Sequence, residues 1–172
     1  ILMKFGIQKG DRILLMLPRV PEWWILVLGI MKLGAVFCPS PHMMTVKDIA
    51  YRMKVGGFKM VITDSENMKK VDEVASDCPN IQLRMIVDDV PCERLQTPWI
   101  GYQNELLYPE PVTTKLVSSV GSRVLVTDPM LIYFTSGTTK DPKMVLHDYG
   151  HPLGQTVTAK FWHDLTEFDV HF

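Results

Sequence analysis

Arg12 to Leu17, RILLML, is an almost unbroken apolar run, and a strand of that composition has to be covered on both faces. Three further short runs follow at Ala35–Pro39, Lys59–Thr63 (KMVIT) and Arg84–Val87 (RMIV). Helical periodicity lies between them, over Glu22–Leu33, Lys47–Val55 and Glu66–Asp77. Strands alternating with helices over short connections predict an α/β fold, a mainly parallel sheet with helices on both faces.

Local signals agree. Gly6 to Gly10 reads as a turn region, and Pro18 and Pro21 bracket a loop. Pro21 and Glu22 suit a first helical turn and Gly34 its end. The second helix turns Ile49, Ala50 and Met53 inward and stops at Gly56-Gly57. Asp64 or Ser65 can cap the third, where Val71, Val74, Ala75 and Cys78 recur at helical spacing. From Pro91 to Asp128 the periodicity weakens, and prolines at 91, 98, 109 and 111 mark an irregular connection. His147 to Trp162 reads as helical, with Pro152 and Gly154 weakening its start. Ile1 to Lys4 reads as the end of a helix, and a strand could open at Val170–Phe172. The expectation is a piece of a longer protein, cut at both ends.

A formal net charge of -1 over 172 residues gives no global attraction to nucleic acid, so any anion site must be local. The most apolar run, Trp23 to Met31, falls far short of the roughly 20 residues of a bilayer span. No secretory signal pattern opens the chain. Cys38, Cys78 and Cys92 are odd in number and lack CxxC spacing, which suits reduced thiols. Together these predict no nucleic-acid partner, no membrane span and a cytoplasmic location.

Leu131 to Val145, LIYFTSGTTKDPKMV, is the stretch that most nearly announces a chemistry. An apolar strand, Leu131–Thr135, empties into Ser136-Gly137-Thr138-Thr139 and reaches Pro142 and Lys143. Glycine permits close backbone approach, amides and hydroxyls donate hydrogen bonds, and lysine adds a point charge, so the loop suits a phosphate. It is neither a Walker A motif nor GxGxxG.

Tyr133-Phe134-Thr135-Ser136-Gly137-Thr138-Thr139 followed by Pro142-Lys143-Met144-Val145 resembles the phosphate-binding motif of the AMP-forming acyl-CoA synthetases and their adenylate-forming relatives, roughly [YF]TSG[TS]TGxPK. Gly10-Asp11-Arg12 and Met31 to Val36 before Pro39 also resemble early family segments. Leu17 to Trp24, LPRVPEWW, and Asp48-Ile49 followed by Tyr51-Arg52 look like the short- and medium-chain branch. The resemblance covers most of the chain, least securely from Pro91 to Asp128.

That resemblance implies ATP, Mg2+ and coenzyme A, with a small carboxylic acid as substrate. The carboxylate attacks the α-phosphorus, pyrophosphate leaves, and the acyl group passes from AMP to the coenzyme A thiol. It assigns Thr135, Ser136, Gly137, Thr138, Thr139, Lys140, Asp141, Pro142 and Lys143 to the nucleotide-phosphate loop, and no catalytic or metal-ligating residue. The family's later motifs, for adenine, ribose, magnesium and the adenylation lysine, are expected beyond these residues, so the polypeptide alone is expected not to complete the reaction. At Lys140 the sequence departs from the family's glycine. If that position needs φ > 0, a lysine there costs about 1 kcal/mol, and Lys140→Gly would raise nucleotide affinity.

Other constellations are weaker. Trp23 and Trp24 read as packing and not as acyl-pocket walls. His147 and His151 have metal-compatible spacing on a helix face but no evident third ligand. Asp88-Asp89 sits at a strand end and Asp72-Glu73 on a solvated helix face, with acid/base work a minor reading for both. Pro39 to Thr45 lies where related enzymes approach coenzyme A, yet Met43 and Met44 offer no charge there. The rival readings are another adenylating enzyme, such as an aryl-CoA ligase or an amino-acid-activating domain, and a non-catalytic α/β binding module.

Overall fold

The computed structural model describes residues 1–91, 95, 98–107, 124–136 and 141–170. In chain order the elements are β1 (Arg12–Leu15), α1 (Pro21–Leu33), β2 (Val36–Pro39), α2 (Val46–Gly56), β3 (Met60–Thr63), α3 (Ser65–Ala75) and β4 (Leu83–Ile86). Then come β5 (Trp99–Gly101), α4 (Tyr102–Leu107), β6 (Pro129–Thr135), β7 (Lys143–Asp148) and α5 (His151–Phe161).

The strands form one sheet of seven in the order β5-β4-β3-β1-β2-β6-β7. Every pair is parallel except β6 with β7. The expected α/β architecture is therefore present, with an antiparallel hairpin added at one edge.

Period-two alternation sends successive β1 side chains to opposite faces. Ile13 and Leu15 join Leu26, Val27 and Ile30 of α1 in one buried cluster. Leu14 and Met16 join Ile49 and Met53 of α2 and Val71 and Val74 of α3 in the other. Helices cover both faces, which is why β1 reads as continuously apolar.

The ends of these helices are chemically specified. Thr45 and Asp48 form a reciprocal capping box at the start of α2, and Gly57 at φ 60 closes it. Asp64 caps α3 by accepting from the Asn67 N–H at 3.2 Å. Gly34, at φ 76, ends α1 with its N–H on the Met31 carbonyl at 3.0 Å.

Three expectations need correction. Part of the stretch expected to be irregular, Pro91–Asp128, is ordered as β5 and α4, because Trp99 packs into the core and the strand pairs with β4. Helix does not begin at His147. Residues 143–148 pair antiparallel with β6, and helix starts at His151. Ile1 to Lys4, by contrast, does close as a helix end, with the Gly6 N–H on the Met3 carbonyl at 3.0 Å, the Ile7 N–H on the Leu2 carbonyl at 3.1 Å and Gly6 at φ 74. Trp24 does not pack in the described residues; it is 66% exposed, edge-on to the half-buried Trp23. Val170 is exposed and belongs to no strand or helix, and the rest of the strand looked for at Val170–Phe172 falls outside the described residues.

Candidate nucleotide-phosphate site

Because β1, β2, β3, β4 and β6 run parallel, their carboxyl ends lie at one edge of the sheet, the edge where open α/β sheets take ligands. Thr135, the last residue of β6, emerges there. The chain returns as β7 with Thr135 opposite Lys143 and Phe134 opposite Met144. The glycine-threonine stretch is thus the connection of a β-hairpin.

Of the nine loop residues, Thr135, Ser136, Asp141, Pro142 and Lys143 are described, and Gly137, Thr138, Thr139 and Lys140 lie outside the described residues. Thr135, Ser136, Asp141 and Lys143 are exposed and Pro142 is half-buried. The Thr135 hydroxyl donates to the Lys143 carbonyl at 3.4 Å, closing the base of the hairpin. Two hydroxyl-bearing residues and a lysine therefore lie exposed at the two limbs of the connection.

α2 supports this hairpin from the side. The Tyr51 hydroxyl donates to the Pro142 carbonyl at 2.9 Å, and its ring meets Phe134 edge-on at 6.3 Å between centroids. Arg52 places its guanidinium 4.5 Å from the Phe134 ring centroid and donates to the Ser40 hydroxyl at 3.3 Å. Tyr51 and Arg52 stood out in the sequence only through resemblance, with no role attached. Their contacts with the loop cross too much sequence for any local pattern to disclose.

Cys38, under the same corner, is buried, and burial pushes its thiol up to about 11 against the smaller opposing effects of Ser40 and Arg52. It is a protonated packing group at neutral pH. Cys78 is likewise buried and raised by desolvation, then by Asp77. Cys92 lies outside the described residues.

The carboxylate pairs have structural partners. Asp72 accepts from Arg84 at 2.8 Å and from the Trp99 indole at 2.9 Å, tying α3 to β4 and β5. Asp88 accepts from the Ser65 backbone N–H at 2.7 Å and from its hydroxyl, at the start of α3. His147 and His151 do approach, with ring centroids 4.1 Å apart, but from a strand and a helix start instead of one helix face.

Among the described residues, one mixed ligand cluster escaped the sequence reading: His42, Asp64 and Glu66, with ligand atoms within 4.8 Å of one another. Asp64 already uses one oxygen as the α3 cap and pairs His42 with the other. The positive end of a helix disfavours a second cation there, so the cluster is explained as a capping network. Met44, in the segment where coenzyme A was considered, is buried in the core, and Met43 is exposed.

A parallel α/β sheet with a hydroxyl- and lysine-bearing connection at its carboxyl edge is an arrangement found among nucleotide-binding proteins. Residues 1–171 match the family model of AMP-binding enzymes, and the chain belongs to that family. It is 37% identical over 166 residues to mitochondrial acyl-coenzyme A synthetase ACSM4 of Mus musculus, covering 96% of this chain and 27% of that protein. It is 39% identical over 148 residues to mitochondrial acyl-coenzyme A synthetase ACSM1 of Homo sapiens, covering 86% of this chain and 24% of the relative. The chain thus spans about a quarter of the length of these curated relatives.

Two solved structures share the fold. A long-chain-fatty-acid CoA ligase homologue of Rhodopseudomonas palustris superposes with a TM-score of 0.76 at 18% identity, over 98% of this chain and 39% of that one. The anthranilate CoA ligase AuaEII, in complex with anthranoyl-AMP, gives 0.76 at 22% identity, over 94% and 29%.

The expected cytoplasmic location is overturned, because these curated relatives are mitochondrial proteins. Reduced cysteines do not distinguish one reducing compartment from another, so composition carried no such information. Among the described residues no helix is long and apolar enough to cross a membrane.

Proposed function

We propose that the complete protein is an AMP-forming acyl-CoA ligase that activates a short- or medium-chain carboxylic acid in mitochondria. A carboxylate oxygen attacks the ATP α-phosphorus, the bond to the β-phosphate oxygen breaks, and pyrophosphate leaves. The coenzyme A thiol then attacks the acyl carbon, AMP departs with the bonding pair, and the thiol proton passes to solvent. The observation that carries this reading is the β6–β7 connection itself: Thr135, Ser136 and Lys143 exposed together at the carboxyl edge of a parallel sheet.

In this proposal Lys143 offsets charge on the triphosphate and the Ser136 hydroxyl donates to a phosphate oxygen, joined by the Thr135 hydroxyl once it turns from the Lys143 carbonyl. Gly137, Thr138, Thr139 and Lys140 complete the loop, with Asp141 and Pro142 fixing its return. Mg2+ accompanying the nucleotide would supply charge neutralisation. Among the described loop residues, Thr135, Ser136 and Asp141 are the ones whose side chains could offer it oxygen, which suits an ion held mainly by the nucleotide.

Titration calorimetry with ATP tests the loop. Lys143→Ala removes a charge-assisted contact and is expected to weaken ATP about 10- to 100-fold. Lys140→Gly is expected to tighten it. An unchanged affinity in Lys143→Ala overturns the assignment. ATP–pyrophosphate exchange by the complete protein over a panel of aliphatic, aromatic and amino acids identifies the carboxylate class.

A further inference from the structure

We propose that Tyr51 is a positioning residue for the phosphate loop, acting through the Pro142 carbonyl; this rests on the phosphate-loop reading above. The hairpin overhangs its sheet. β6 is in register with β2 only at Leu131 opposite Phe37, so Thr135 lies beyond the paired part of the parallel sheet. β7 is the edge strand, with no neighbour on its outer side among the described residues. The limb that carries Lys143 therefore depends on contacts from outside the sheet for its position.

Tyr51 provides that contact at the point of need. Pro142 has no N–H, so its carbonyl is the one backbone hydrogen-bonding group it has, and it sits immediately before Lys143. The 2.9 Å bond from Tyr51 fixes that peptide plane, and the plane sets the direction in which the chain enters Lys143. The donor is itself fixed. Ile49 and Met53, on either side of Tyr51 in α2, are fully buried, and the Thr45–Asp48 capping box locks the first turn. The aromatic ring also braces Phe134, the residue preceding Thr135, so one side chain touches both limbs of the connection. A rigid helix thus references the described limbs of the loop to the sheet core, and Lys143 holds its place before nucleotide arrives.

Tyr51→Phe keeps the ring and removes only the donor. In the 172-residue chain we expect hydrogen exchange of the Asp141, Lys143 and Met144 amides to speed up several-fold, with exchange in β1 and β3 and the melting temperature unchanged. In the complete protein, ATP affinity by calorimetry should fall about 3- to 10-fold, the effect of one neutral hydrogen bond. Binding of adenosine, which has no phosphate, should not change between the two proteins. Unaltered amide exchange in the limb overturns the positioning role, and so does unaltered ATP affinity in a wild type that binds ATP. A complete wild type that does not bind ATP overturns the phosphate-loop reading, and with it the functional role of Tyr51. The exchange measurement then still distinguishes that failure from a Tyr51 that never held the limb.

Discussion

The Arg52 guanidinium lies over Phe134, its central carbon 4.5 Å from the ring centroid, while one of its nitrogens donates to Ser40. Helix α2, strand β6 and the end of β2 meet in that contact. A double-mutant cycle with Arg52→Gln and Phe134→Leu should return a coupling of about 0.5–1 kcal/mol in urea unfolding. Arg52→Lys should lose most of it, since an ammonium lacks the planar face. No coupling in the cycle would mean that Ser40 alone holds the guanidinium.

Two helical glycines should respond to alanine in opposite directions. A Cβ at Gly29 in α1 meets nothing within 4 Å, so Gly29→Ala should stabilise the chain by about 0.5–1 kcal/mol through backbone entropy. A Cβ at Gly56 would stand 2.1 Å from the ring of Phe58, which is fully buried and has nowhere to go. Gly56→Ala should destabilise by about 2–4 kcal/mol. Denaturant midpoints of the two variants check both signs at once; equal shifts would contradict this packing of α2 against Phe58.

Stability at alkaline pH should carry the signature of Cys38. Burial raises its thiol from 9.0 to about 11 in the folded chain, so folding favours the protonated form. The contribution is present in full below about pH 9 and is lost as pH rises toward about 11, amounting to roughly 2–3 kcal/mol. Wild type should therefore lose that much more stability than Cys38→Ala between neutrality and about pH 11. Parallel curves for the two proteins would show that the thiolate is tolerated where it sits.

The parallel core was legible because each strand there is covered on both faces and carries its own apolar run, as β1 does with Ile13 to Leu15. β5 escaped because three residues following Pro98 give no period, and only pairing with β4 makes them a strand. β7 escaped for a different reason. All but one of its residues are exposed, so the run from Lys143 to Asp148 has no buried face to advertise, and it exists because β6 pairs with it. At the site, Lys143 and the hydroxyls were readable as an ordered local motif. Tyr51 was not, since its hydrogen bond to Pro142 depends on how α2 docks, and His42 gave no signal until folding set it beside Asp64.

The buried Asn67 offers the sharpest test of that last network. Its amide donates to the His42 carbonyl at 3.1 Å and to Asp64 at 3.2 Å, and its oxygen accepts from Lys70 at 2.9 Å. Asn67→Ala strands the His42 carbonyl and should cost about 1–3 kcal/mol. Asn67→Asp keeps the shape but places a second carboxylate against Asp64, which raises the folded-state pKa of the pair above its unfolded value. A group raised in the folded state stabilises below its unfolded pKa and ceases to do so as pH climbs. Asn67→Asp should accordingly be far less stable than wild type at neutral pH and should close much of that gap at about pH 4. Asn67→Ala should show no such recovery. A gap in Asn67→Asp that stays constant with pH would mean that the Asp64 carboxylate does not face position 67.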